Sequence, residues 1–358
     1  AMVNAVAAHS IEYDDVHNAA SSHPGVVVFP AAIAASCITE YSAEKFIMGV
    51  IVGYEAMCRV GRAANPQSHY ARHFHPTGTT GNIGAAAAAS SILGLDLNQS
   101  VSALGIAATM AAGSMQFLVD GAWTKRLHPA QAARNGVEAA LLSQAGFVGT
   151  EDGIAGDRGF LAGYSDESDP EELLKEWGDR SLEVQNTSIK AHTCCRYNQG
   201  PIDAILEICT DHDLESEKVA KIKVGIPTVA EDIIWQPEES KRRPISVVDA
   251  QFSLPYAAAV AVVRRRASLP EYDGSLFQLP EILRNMDNTE CVVDSDLDRT
   301  YPQQWRAWAE IETVDGEIYK AVVDDPKGDP TNPLSSTELV EKFVEITEGI
   351  YTSERQKQ

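Results

Sequence analysis

The stretch His75-Pro76-Thr77-Gly78-Thr79-Thr80-Gly81-Asn82-Ile83-Gly84, followed by Ala85–Ala89, constrains the fold most. Its alanine half favours helix, yet the segment carries almost no side-chain bulk. A helix of this kind has to be gripped closely by its neighbours. Small-residue texture recurs in Ala31–Ala35, Phe46–Val60, Val101–Ala112 and Ala130–Ala145, with apolar residues three and four apart. Residues 1 to about 180 therefore read as a dense helical body. Leu93-Gly94-Leu95-Asp96 reads as a helix stop and a turn, and Asp169-Pro170-Glu171-Glu172 as a new helix with acids in its first turn.

The texture changes near residue 186. Val219–Ile226, Cys291–Asp294 and Trp308–Val314 alternate as strands. Asp315-Gly316 before Glu317–Val323 is a hairpin signal. Helices are expected at Pro201–Cys209 and Tyr256–Arg264, a loop at 326–333, and a last helix capped at Ser336 with Leu339 and Phe343 turned inward. The 358 residues fit roughly two domains of about 100–200 residues. The expected architecture is an all-α domain from 1–185 and 326–358, with a smaller α+β lid at 186–325. Both ends read as incomplete: the first residues look like helix interior, and the last like the start of a helix.

A net charge of −22 argues against nucleic acid or an anionic membrane surface as partner, since both need basic patches. The six cysteines show no CxxC pair, and neither a leader nor a long apolar run is evident, so a reducing cytoplasmic setting is expected.

Several clusters carry possible chemistry. Asp14, Asp15 and His17 precede His23-Pro24-Gly25: the acids could cap the next helix, or orient a histidine for acid–base work. His75 stands at the mouth of the small-residue helix and is a candidate acid or base. His69 and His73 are four apart, but no acid or cysteine completes a metal site, so none is expected. Lys125, Arg126 and His128 crowd what reads as the approach to a helix from Ala130, where an anion would be favoured. Lys190, Cys195 and Arg196 form a second cationic group. Tyr256 starts a helix, as packing or as a proton donor. Together these suggest a polycarboxylate pocket; neither GxGxxG nor a P-loop is present.

At these residues the chain resembles the MmgE/PrpD family, which includes 2-methylcitrate dehydratase, cis-aconitate decarboxylase and iminodisuccinate epimerase. The matching stretches are Asp14-Asp15-x-His17 with His23-Pro24-Gly25, Phe74–Gly81, Lys125–Pro129 with Ala132-Ala133 and Gly136, Lys190 with Cys194-Cys195-Arg196, Ser253–Tyr256, and Gly328–Pro333. The resemblance implies a homodimer, an active site between the two domains, and catalysis without metal or cofactor. It implies His23, His75, Lys125, Lys190 and Tyr256 as pocket residues. The decarboxylases carry a histidine where Cys195 aligns, which favours a dehydratase-like reaction. The expected function is hydro-lyase action on a hydroxylated di- or tricarboxylate. His75, His23, Tyr256 and Asp14 or Asp15 would serve the chemistry with Lys125. Lys190, Arg196, Arg126, Cys195 and His17 would bind substrate. Epimerisation, decarboxylation and an inactive remnant are the alternatives.

Overall fold

The computed structural model describes residues 1–178 and 181–356, and falls into two units. The first comprises residues 1–10 and 14–188, the second 11–13 and 189–358.

Nine helices are described in the first unit: α1 (Met2–Ser10), α2 (Gly25–Ser36), α3 (Ala43–Ala63), α4 (Pro66–Ala71), α5 (Pro76–Leu93), α6 (Leu97–Thr109), α7 (Phe117–Asp120), α8 (Thr124–Gln144) and α9 (Phe160–Tyr164). The small-residue segment is α5, and it lies at the centre. It packs on α2, α3, α6 and α8, and all but two of its residues are buried. Glycines permit these approaches. A Cβ on Gly136 of α8 would strike Ala85 and would lie 2.5 Å from the Ala86 amide nitrogen; a Cβ on Gly84 would lie 2.6 Å from that of Met57 in α3. Gly94 ends α5 in the left-handed region at φ +70°, as a C-terminal glycine does. Asp96 then caps α6 in a reciprocal box with Gln99. A short two-stranded sheet, β1 (Asp15–His17) with β2 (Thr187–Ile189), is also present where the first unit ends, and an all-α expectation missed it. The helix expected at Asp169 is a single 3-10 turn, Pro170–Leu173.

The second unit contains α10 (Gln199–Asp211), β3 (Val219–Ile226), α11 (Glu238–Lys241), α12 (Val247–Gln251), α13 (Leu254–Arg264), α14 (Pro280–Asp287), β4 (Thr289–Val293), β5 (Ala307–Thr313), β6 (Ile318–Val323), α15 (Ser336–Thr347) and α16 (Ser353–Gln356). The four-stranded sheet has the order β4-β3-β5-β6, with β3 parallel to β4 and antiparallel to β5. The Asp315-Gly316 turn joins β5 to β6, with Gly316 at φ +84°. α10 packs on β5, β6 and α13.

Residues 326–358 group with this unit, not with the helical one expected for them. Lys342 of α15 donates to the carbonyls of Tyr13 and Lys190, and Glu345 accepts from the Leu269 amide. Ser335, one residue before the expected cap, closes a reciprocal box with Glu338. Leu339 and Phe343 are 38% and 44% exposed, so they are not the inward-facing pair expected. Among the described residues no helix is long and apolar enough to cross a membrane.

Candidate active site

The first unit gathers four imidazoles from separate segments. His9 closes α1, His23 precedes α2, His75 caps α5 and His128 sits in α8. The His9 ring centroid lies 5.1 Å from that of His23 and 6.1 Å from that of His75, and His75 is 5.3 Å from His128. Pro76 at the first position of α5 fixes the entry of that helix, and the His75 amide donates to the Gly113 carbonyl at 2.9 Å. Lys125 is three residues before His128, hence on the same helical face, and is buried. Lys125, Arg126 and His128 therefore lie within the first turns of α8, not ahead of a helix beginning at Ala130.

Two differently wired pairs emerge. Asp14 presents one carboxylate oxygen to His9 Nδ1 at 2.6 Å and to His23 Nδ1 at 3.3 Å. His23 Nδ1 also donates to the Asp15 carbonyl at 2.8 Å, so neutral His23 carries its basic lone pair on Nε2. The second pair is His75 Nδ1 against His128 Nδ1 at 3.1 Å. Burial pushes His75 well below its usual value, and the nearby charges of His128, Lys125, His9 and His23 push the same way. His128 falls to about 4, through burial and then the charges of His9 and Lys125. Both imidazoles are thus neutral at pH 7. An anion placed among these groups would raise them again.

The structure separates Asp14 from Asp15. Asp15 accepts from the Gly25 amide at 2.9 Å and from the Tyr54 hydroxyl at 2.5 Å, so its carboxylate anchors the start of α2, while its carbonyl accepts from His23. His17 is engaged within the protein. Its Nδ1 accepts from the Ala20 amide and its Nε2 donates to Glu183 at 2.8 Å, in a network with Arg62. Arg126 stacks on Trp123, 5.0 Å from the ring centroid. His69 is buried in α4, with Nε2 2.9 Å from the Thr79 hydroxyl. His73 lies beyond the end of α4 at φ +59°, so the two do not share a helical face.

In the second unit, Lys190 is buried and bonds to both the carbonyl and the carboxylate of Glu12 at 3.1 Å. Arg196 pairs with Asp329 and stacks on Trp305. Cys195 is buried, and its amide donates to the Gln251 carbonyl. Tyr256 is fully buried and its hydroxyl donates to the Glu271 carbonyl. Burial, then the charges of Glu271 and Asp273, raise its pKa. In this arrangement the phenol proton lies on a backbone carbonyl.

Sequence reasoning missed His9 as a site residue and left His128 without a role. His9 stands five residues before Asp14, a spacing with no regular period, and only the turn after α1 brings them together. His128 was legible as the i+3 neighbour of Lys125, had α8 been started at Thr124.

Two family models match the chain: the MmgE/PrpD N-terminal domain over residues 1–173 and the MmgE/PrpD C-terminal domain over residues 192–358. Among similar proteins, the cis-aconitate decarboxylase-like protein oryM of Aspergillus oryzae is 30% identical over 99% of this chain and 76% of its own length. The cis-aconitate decarboxylase of Homo sapiens is 27% identical over 96% of this chain and 71% of its own. That of Aspergillus terreus is 26% identical over 100% of this chain and 76% of its own.

Proposed function

We propose, starting from the fact that this chain belongs to the MmgE/PrpD family, that it is a lyase that removes water from a hydroxylated di- or tricarboxylate. The observation that carries this reading is the pair of separately wired imidazoles in the first unit. Dehydration needs a base for the proton beside a carboxylate and an acid for the departing hydroxyl. His23, held by Asp14 and the Asp15 carbonyl, and His75, held against His128, provide two such groups.

In the forward step a neutral imidazole takes the carbon-bound proton. The C–H electron pair becomes the new C=C bond, and the C–O bond breaks. The oxygen leaves as water with a proton from the other imidazole. We assign proton abstraction to neutral His75 and donation to His23, which would act as the imidazolium, with the Asp14 carboxylate beside it as counter-charge. Lys125 stabilises the enolate-like charge that builds up on the substrate, commonly the largest contribution in such reactions. Positioned acid–base groups supply about 10²–10⁴-fold, so His75→Ala should lose at least about 100-fold in turnover.

Decarboxylation is the second reading, favoured by the names of the relatives. There a carboxylate leaves as carbon dioxide, and the freed electron pair is protonated by an imidazolium. A homodimer is the companion expectation from the resemblance, and a cytoplasmic setting that from the cysteine usage. Proton NMR of the protein with 2-methylcitrate, citrate and cis-aconitate in deuterated water separates the readings. A new vinyl signal with loss of the hydroxylated substrate supports dehydration. Carbon dioxide release from cis-aconitate replaces it with decarboxylation, and deuterium exchange at unchanged mass balance with an epimerase. Inertness toward all three substrates refutes the reading.

A further inference from the structure

Buried polar atoms are as a rule hydrogen-bonded, and His17 uses both ring nitrogens in this way, with the Ala20 amide and Glu183. His9 is fully buried and uses one. Its Nδ1 meets Asp14 at 2.6 Å, while its Nε2 has no hydrogen-bond partner among the described residues. The ring lies among imidazoles, stacked on that of His75 with 20° between the planes and tilted at 56° to that of His23. The polar function of His9 is therefore directed at Asp14.

Local structure places the pair. Ala5 and His9, four residues apart on one face, are the buried residues of α1, and α1 packs on α8 and α2. The chain then turns back through Glu12, at φ +51°, and returns Asp14 to the His9 ring. One Asp14 oxygen serves two imidazoles, His9 at 2.6 Å and His23 at 3.3 Å. The shorter bond is the stronger, so His9 draws negative charge away from His23. All three residues belong to the first unit. The other titratable groups facing this cluster are Asp15, Tyr54 of α3, His75 of α5, and Lys125 and His128 of α8; α2 contributes none.

We propose that His9 is a positioning residue: by taking the shorter bond to Asp14 it divides that carboxylate between two imidazoles, and so keeps His23 acidic enough to release its proton to the departing hydroxyl. A carboxylate given wholly to His23 would hold the imidazolium proton more tightly. With the charge divided, Asp14 steadies the imidazolium without trapping the proton that His23 must give up. His9 acts through Asp14, so its complete burial is no obstacle. The inference rests on the acid role proposed above for His23.

The test is NMR titration of histidine-labelled protein without substrate, on the full chain and on H9L, H9N and D14N, with the His23 signal identified by its loss in H23Q. Thermal melts confirm that each variant is folded. H9L removes the donor and should raise the His23 midpoint by about one pH unit, the worth of part of one hydrogen bond to a charged group. H9N keeps an amide N–H in the place of Nδ1 and should return the midpoint to its native value. D14N removes the charge and should lower it by about one unit, and it tests the same carboxylate should H9L not fold. A midpoint in folded H9L at or below the native one overturns the proposal. So does a midpoint in H9N as high as that in H9L, or a native midpoint in D14N. Where the native protein turns substrate over, the alkaline limb of the rate profile should move up in H9L with the midpoint, because His23 acts in its protonated form. The expected shifts in a protein that leaves every substrate unreacted support the division of Asp14 and refute the lyase reading. A native midpoint in H9L, with turnover by the native protein, overturns the role of His9 and leaves the lyase reading standing.

Discussion

Replacing Gly136 by alanine tests how the site is held. Taken alone, the exchange should help, because alanine in a helix interior is favoured over glycine by about 1 kcal/mol. At this position, however, the new methyl would collide with Ala85 and would lie 2.5 Å from the Ala86 nitrogen. Those obstacles are a short side chain and backbone, so no rotamer change relieves them. Restoring ordinary contact distances requires α8 and α5 to separate by about 1 Å. Overpacking of this sort costs about 1–3 kcal/mol, and a backbone obstruction belongs at the upper end. The net expectation is a loss of ~2 kcal/mol after the propensity gain, or about 4–8 °C in melting temperature for a unit of this size. Function should suffer too, since α5 presents His75 and α8 presents Lys125 and His128. Urea denaturation with NMR turnover measures both effects. Gly94→Ala is the control: its φ is +70° and a Cβ there would meet nothing within 4 Å, so it should cost about 1 kcal/mol of backbone strain and leave turnover intact. A Gly136→Ala protein as stable as the native one would refute the claim that α5 and α8 are in backbone contact.

His17→Ala should cost ~1–3 kcal/mol of stability, because it strips Glu183 of a buried partner; a raised KM at unchanged stability would instead return His17 to the substrate site. His69 is held down at about 4 by burial, an effect the Tyr164 backbone partly opposes and the Arg72 charge adds to. Between about pH 6.5 and 4 the unfolded chain therefore binds the proton that the folded chain refuses, and stability falls as the pH drops. His69→Phe should flatten that slope by about one proton, read from denaturation midpoints across the range, and an unchanged slope would count against a neutral buried His69. Lys241→Met should raise stability at pH 7 by up to ~3 kcal/mol, the value of moving an amine from 10.5 to about 8, whereas a destabilised variant would mean that the ammonium is well solvated.

Much of the fold was legible because local patterns were strong. The alternation of Val219–Ile226 became β3 with the same bounds, and Asp315-Gly316 became the expected hairpin turn. Leu93-Gly94 ended α5 as read, because only a residue tolerant of positive φ closes a helix that way. The candidate site was legible by residue type more than by role. His23, His75 and Lys125 stand out as a histidine before a turn, a histidine at a helix mouth and a cation in a cationic run. Nothing local distinguishes Asp14 from Asp15, or Lys190 from Lys241.

The sequence by itself determined that small side chains must build a close-packed helical body, that strands follow it, and that anions and proton transfer suit the charged clusters. Those conclusions depend on periodicity and side-chain chemistry, both local properties. Tertiary structure alone decided which carboxylate holds which histidine. It sent His17 to Glu183, Asp15 to the start of α2 and the Tyr256 hydroxyl to a backbone carbonyl. It also brought His9 beside Asp14 and left Lys241 buried without an acid among the described residues. Partnership at the hydrogen-bond scale depends on positions fixed to within fractions of an ångström by packing between distant segments, and sequence spacing carries no such distances.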